Sequence, residues 1–197
     1  MDLDMLSTSS AGDEQPYRAE DGDEPRLIDI GNLATWTLSS FKPKFGVAEL
    51  RDESTDKYWQ SDGPQPHFID IHFSKRVAIA EVQLYMNFGD DESYTPSKLA
   101  VLGGSGYHDL SEVVVREFEE PRGWVSISMA NSGKDGLLKA FLVRLSVLAN
   151  HQNGKDTHIR AIKVLSPETK LGNDDVDLQE DCLPFTSIAM LSHSAIR

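Results

Sequence analysis

The 197-residue chain has a single cysteine, Cys182, which excludes an internal disulfide framework. No apolar run approaches the ~20 residues that a bilayer-spanning helix needs, so no membrane partner is expected. A basic segment followed by an apolar one is also missing from the start. Asp2, Asp4, Asp13 and Glu14 stand there instead, arguing against a secretory signal or a mitochondrial presequence. These absences point to the nucleus and cytoplasm. Basic residues are the minority, 19 Lys and Arg against 32 Asp and Glu, for a net charge of −13. The imbalance lies mainly at the ends. Residues 1–26 carry eight acids and two bases, residues 166–197 six and two, and residues 27–165 eighteen and fifteen. The middle is therefore nearly balanced and lacks the clustered Lys/Arg footprint of a nucleic-acid binder.

Catalytic signatures are missing as well. The six histidines, at 67, 72, 108, 151, 158 and 193, form none of the helix-spaced pairs flanking Glu that zinc hydrolases use, and no metal site is expected. Gly103-Gly104-Ser105-Gly106 lacks the Gly-Lys-Ser/Thr ending of a phosphate cradle and reads as a hairpin loop. Cys182 has no basic neighbour to lower its pKa and makes a poor nucleophile. Asp70, Asp156, His151 and His158 include acids and bases, yet spacing does not show that any two converge. Asp70 and His72 share the outward side of an alternating run, where ordinary solvation is expected. The reading is a chain without a catalytic site or a cofactor.

What is present is alternation. In Phe68-Ile69-Asp70-Ile71-His72-Phe73 the apolar Ile69, Ile71 and Phe73 fall on one side of a strand. Ala80, Val82, Leu84 and Met86 repeat the pattern, as do Phe141, Val143, Leu145 and Val147. Further strands are predicted at Leu99–Leu102, Val113–Phe118, Trp124–Met129 and Ile159–Leu165, separated by Gly/Asp turns. A short helix near Ile30–Thr37 is compatible with this pattern. Many short strands without a long amphipathic helix predict an all-β fold, an antiparallel sandwich or jelly roll. The division that follows is an acidic arm over 1–26, a β-sandwich over 27–165, and a linker and tail over 166–197. The arm has too few large apolar side chains to offset the entropy of ordering it. The tail turns apolar again at Leu183, Phe185, Ile188, Met190 and Leu191.

Two loops are more polar than turn formation requires: Tyr58-Trp59-Gln60-Ser61-Asp62-Gly63-Pro64-Gln65-Pro66-His67 and Asn150-His151-Gln152-Asn153-Gly154-Lys155-Asp156-Thr157-His158. Trp59 is expected to plug the core, and the second loop to recognise a partner. With Asp91-Glu92-Ser93-Tyr94-Thr95-Pro96-Ser97-Lys98 between them, and the second loop continued through Ile159-Arg160, these segments form three ordered motifs. Over about residues 28–165 the chain resembles the DOC-domain subunits of the anaphase-promoting complex, and its Ile196-Arg197 ending matches the tail of that family.

The resemblance implies a galactose-binding-like β-sandwich jelly roll with no enzymatic activity of its own. It implies a role as co-receptor, with a WD40-repeat activator, for the destruction box of substrates, raising the processivity of a ubiquitin ligase. Carried over by position, Asn150, Asn153, Asp156 and His158 are the expected substrate contacts, with Ser93, Tyr94, Gln60 and Asp62 secondary to them. Ile196 and Arg197 are the expected tether to a TPR-repeat subunit, beside scaffold subunits of the same complex. Lys155 stands where the family more often has Arg. A carbohydrate-binding sandwich, with Trp59 or Trp124 stacking on a sugar, is the competing reading. A hydrolase using Asp156 and His158 is a third.

Overall fold

The computed structural model describes residues 26–168. The arm before Arg26, the tail with Cys182, and the proposed tether at Ile196 and Arg197 lie outside the described residues. Along the chain come β1 (Leu27–Asp29), β2 (Ala34–Leu38), α1 (Val47–Leu50), β3 (Trp59–Gln60), β4 (His67–Ile79), β5 (Glu81–Asn87) and α2 (Phe88–Asp91). Then follow β6 (Pro96–Gly104), β7 (Ser111–Glu117), β8 (Arg122–Ser128), β9 (Leu138–Asn150), β10 (His158–Ile159) and β11 (Ala161–Pro167). Three antiparallel sheets result, in the orders β2-β4-β9-β6-β7, β1-β11-β5-β8 and β10-β3.

The first two sheets pack face to face because their alternating apolar residues must leave water. Ile69, Ile71 and Phe73 of β4, Val143 and Leu145 of β9, and Leu99 and Val101 of β6 come from one side. Val82, Leu84 and Met86 of β5, Ile127 of β8 and Val164 of β11 come from the other. Each such side chain contributes about 1.5–3 kcal/mol when fully buried. The edge pair β1–β11 brings the two ends of the domain together: Leu27 sits opposite Pro167, and the Glu168 amide donates to the Arg26 carbonyl at 2.7 Å.

Three sequence expectations change. In place of a helix near residues 30–37 there is a single 3-10 turn, Gly31–Leu33, followed by β2 paired with β4. Asp70 is not solvated: it is 3% exposed and holds Arg144, its cross-strand neighbour on β9, through two bonds of 2.6 and 2.8 Å. Arg144 also lies 4.0 Å over the Phe68 ring, so an outward position is sealed by a charge pair and an aromatic.

Phe141 leaves the face it was grouped with. Between His72 and Val77 the β4–β9 register slips, with Ile71 opposite Val143 but Val77 opposite Ala140. Three extra residues in β4 form a bulge, and the side of β9 that faces the core switches from Val143 to Ala140 and Leu138. Phe141 falls at the switch and stays half-buried outside the core cluster.

Candidate functional site

The three polar motifs meet at one end of the sandwich, where β4 begins and β6 and β9 are joined to their loops. β10 pairs directly with β3, His158 opposite Gln60 and Ile159 opposite Trp59. The Ser61 amide donates to the Thr157 carbonyl at 3.1 Å, and the Thr157 amide donates to Ser61 Oγ at 2.8 Å. Trp59 is fully buried, and its Nε1–H donates to the Ser40 carbonyl at 2.9 Å. It is the core plug expected, and its ring has no face left for a sugar.

The loop after β9 is held from within. Asn150 is 7% exposed; its Nδ2 donates to the carbonyls of Gly154 at 3.2 Å and Asp156 at 2.9 Å, and its Oδ1 accepts from Thr157 Oγ1 at 3.0 Å. His67 Nε2–H reaches the Lys155 carbonyl at 2.7 Å, and Gln65 Nε2 reaches the same oxygen at 3.1 Å. His151 donates its amide and Nδ1–H to the Thr95 carbonyl at 2.9 and 3.0 Å, while its Nε2 accepts the Glu120 amide at 3.3 Å. Gln152 and Asn153 turn the chain with φ of 52° and 57°, an uncommon conformation that Asn tolerates better than most residues. Gly154 has an ordinary φ of −58° but no room: a Cβ there would stand 1.7 Å from the Ser93 carbonyl oxygen. Close approach between the second and third motifs, rather than turn geometry, requires this glycine.

Beneath the loops lies a buried charge cluster. The short α2, capped by Asn87 Oδ1 accepting the Gly89 amide at 3.1 Å, delivers Asp91 into the interior at 5% exposure. Asp91 accepts Arg160 Nε at 2.8 Å, Arg160 Nη2 at 2.9 Å and His158 Nδ1–H at 3.0 Å. Burial pushes the Asp91 carboxyl upward, but the bonds from His158 and Arg160 outweigh it and hold the group below the ordinary carboxylate range. Arg160 also donates to the Thr55 carbonyl at 3.2 Å. The His158 ring is stacked between Tyr58 at 4.3 Å and Tyr94 at 4.2 Å, and Tyr58 in turn stacks on Phe45 at 4.9 Å. Four rings and one ion cluster thus tie the three motifs into one rigid body.

The expected site residues separate into two groups. Asn150 and His158 are buried and bonded inward, and Gln60 is half-buried in the β3–β10 ribbon. Asn153 and Asp62 are exposed, Tyr94 shows 39% of its surface to solvent, and Ser93 and Asp156 are half-buried. Asp156 and His158 do not pair with each other; the histidine's carboxylate is Asp91. Asp91, Tyr58, Ser61, His67 and Thr95 belong to the motifs but were not among the expected site residues. A signal existed for one of them, since Asp91 and Arg160 are opposite charges carried by different motifs. Among the described residues, no group of three or more His, Cys, Asp or Glu is placed to hold a metal.

Solved structures with the same fold include the family 32 carbohydrate-binding module of Clostridium perfringens NanJ in complex with galactose (TM-score 0.60, 10% identity, 72% of this chain and 100% of that one). A chitosan-binding module from Paenibacillus gives a TM-score of 0.55 at 16% identity, over 70% of this chain and 98% of that one. These likenesses establish the galactose-binding-like β-sandwich. Sequence relatives go further. Anaphase-promoting complex subunit 10 of Schizosaccharomyces pombe is 45% identical over 171 residues, covering 87% of this chain and 88% of that protein. The human subunit 10 is 40% identical over 166 residues, 80% of this chain and 89% of that protein. Subunit DOC1 of Saccharomyces cerevisiae is 39% identical over 153 residues, 77% of this chain and 61% of that protein. A family model described as anaphase-promoting complex, subunit 10 (APC10), matches residues 7–194. The chain therefore belongs to the family of anaphase-promoting complex subunit 10.

Proposed function

We propose that this subunit is the non-catalytic co-receptor of the ligase, presenting its motif loops to the destruction box of a substrate while a WD40-repeat activator holds the other part. The convergence of the three motifs on one rigid, polar loop end carries this reading. A surface fixed by Asp91, Arg160 and the ring stack loses little entropy when it orders an extended peptide. The groups free to make that contact are the exposed ones, Tyr94, Asn153 and Asp62, with Ser93 and Asp156 at their margins. Asn150 and His158 then act by shaping the loop. Binding by this chain alone is weak, because it supplies part of a shared site; tethering within the complex raises the effective concentration and converts weak contacts into longer residence and more ubiquitins per encounter.

The test is a reconstituted ligase carrying Asp62→Ala with Asn153→Gly, two exposed positions outside the ring stack, the glycine keeping the left-handed turn, scored by ubiquitins added per substrate-binding event. Two contacts of about 1 kcal/mol each predict roughly thirty-fold weaker engagement, with the thermal midpoint of the subunit unchanged. His158→Ala is expected to lower both processivity and thermal midpoint. Unchanged processivity in the double variant would place the contact elsewhere.

A further inference from the structure

The opposite end of the sandwich carries a second surface with different chemistry. The β4 bulge pushes Ser74, Lys75 and Arg76 into solvent. Arg76, Leu138 and Lys139 line two adjoining cavities of about 420 and 480 Å³, the first reaching the β6–β7 hairpin and the second the Ser132–Leu137 loop. Lys134, also exposed, stands in the wall of the second. Two carboxylates line these cavities, and both are engaged. Asp135 pairs with Lys139 at 2.6 Å. Asp109 accepts Ser105 Oγ at 2.6 Å and the amides of Ser105 and Gly106 at 3.0 and 2.8 Å, which pull its carboxyl down to about 2. Lys75, Arg76 and Lys134 form no ion pair among the described residues.

Two unpaired cations in one cavity wall, Arg76 and Lys134, with exposed Lys75 next to Arg76 in the chain, stand out against a net charge of −13. A bulge is a built feature that re-aims side chains, and here it sets Arg76 in the groove wall and leaves the adjacent Lys75 exposed. From Pro96 at the loop end to Gly103 at this groove, β6 runs roughly 20–25 Å. A partner seated in the groove therefore leaves the candidate site uncovered. The relatives are named as subunits of a complex, and a subunit of a complex is bordered by protein.

We propose that the groove between the β4 bulge, the β6–β7 hairpin and the Ser132–Leu137 loop is a docking site for an acidic peptide segment of a neighbouring subunit, with Lys75, Arg76 and Lys134 as its charge contacts. The probe is a fluorescein-labelled hexaglutamate peptide added to the full-length chain at low and at 0.5 M salt. Binding is expected at low salt and is screened at high salt. The Lys75→Glu/Arg76→Glu variant is expected to bind at least ten-fold more weakly, with an unchanged thermal midpoint. Lys42→Glu/Lys44→Glu, the same charge change at an exposed pair near the other end, is expected to bind as the wild type does. In the reconstituted complex, the bulge variant is expected to wash out at lower salt than the control variant. Equal effects of the two variants would reduce the binding to net charge and overturn the proposal. An absence of binding to the full chain, the result expected if its own acidic ends already fill the groove, overturns it too. Tighter binding of a single-stranded oligonucleotide of equal charge would overturn the assignment to a protein segment.

Discussion

Asp91 connects the most chemistry with the fewest atoms: one carboxylate satisfies a guanidinium and an imidazole drawn from a motif nearly seventy positions away. Its pKa is lowered on folding, so the unfolded chain binds the proton more tightly, and the stability it contributes is complete above the unfolded value near 4 and is lost as pH falls through the folded value. Asp91→Asn leaves buried Arg160 with only the exposed Asp90, 3.6 Å away, as counter-charge and is expected to cost up to about 3–5 kcal/mol at pH 7. The gap between wild type and variant should begin to narrow as pH drops below about 4, where the unfolded chain protonates, and close only below the lowered folded value. Urea unfolding of both proteins at pH 7 and pH 3 checks this. At this scale the sequence showed which residue types cluster in polar loops but not which of them turn inward. His158 and Asn153 look alike as loop positions. Only the ring stack and Asp91 bury the first, while a left-handed turn exposes the second.

Strands were legible wherever a single parity runs through them. Val82, Leu84 and Met86 alternate without interruption and face the core as read. β9 was not legible as a whole, because its inward parity changes midway and the cause lies in β4, some seventy residues earlier. Alternation read one strand at a time cannot see a bulge in the partner. The bulge therefore does structural work. Deleting Ser74, Lys75 and Arg76 would align the β4–β9 ladder without a slip, yet an odd shift would turn Ile79, now fully buried opposite Leu138, toward water. The deletion is expected to destabilise the domain by about 2 kcal/mol or more, and the midpoint of chemical denaturation measures it. No loss would show that β4 beyond Phe73 re-registers freely. The pairing of β10 with β3, two residues each, was likewise beyond reach of periodicity, since two residues carry no period.

For the molecule as a whole, the sandwich and its three-motif end followed from alternation and resemblance. The charge cluster beneath the loops and the groove at the far end are products of tertiary packing. The relation between the domain and its tail invites a direct test. If Ile196 and Arg197 tether the subunit to a TPR-repeat neighbour, an apolar side chain and an adjacent guanidinium suit capture in a small pocket. Removing the two residues is expected to lower incorporation into the complex several-fold while leaving the thermal midpoint of the purified chain unchanged. Co-purification from a reconstitution mixture reads the first quantity and differential scanning the second; equal co-purification would assign attachment to the domain surface.

The closure of the domain by β1 and β11 has a mechanical side. Arg26 and Glu168, hydrogen-bonded neighbours, flank the antiparallel strands β1 and β11 at the end away from the motif loops. A pull that separates the two chain ends loads this ladder as a zipper, one bond at a time, beginning at Leu27 and Pro167. Three-residue β1 peels first and at low force. The long strands β4, β6 and β9, where the loops are mounted, stay unstressed until it has gone, so the edge strand acts as a fuse that yields before the receptor end is disturbed.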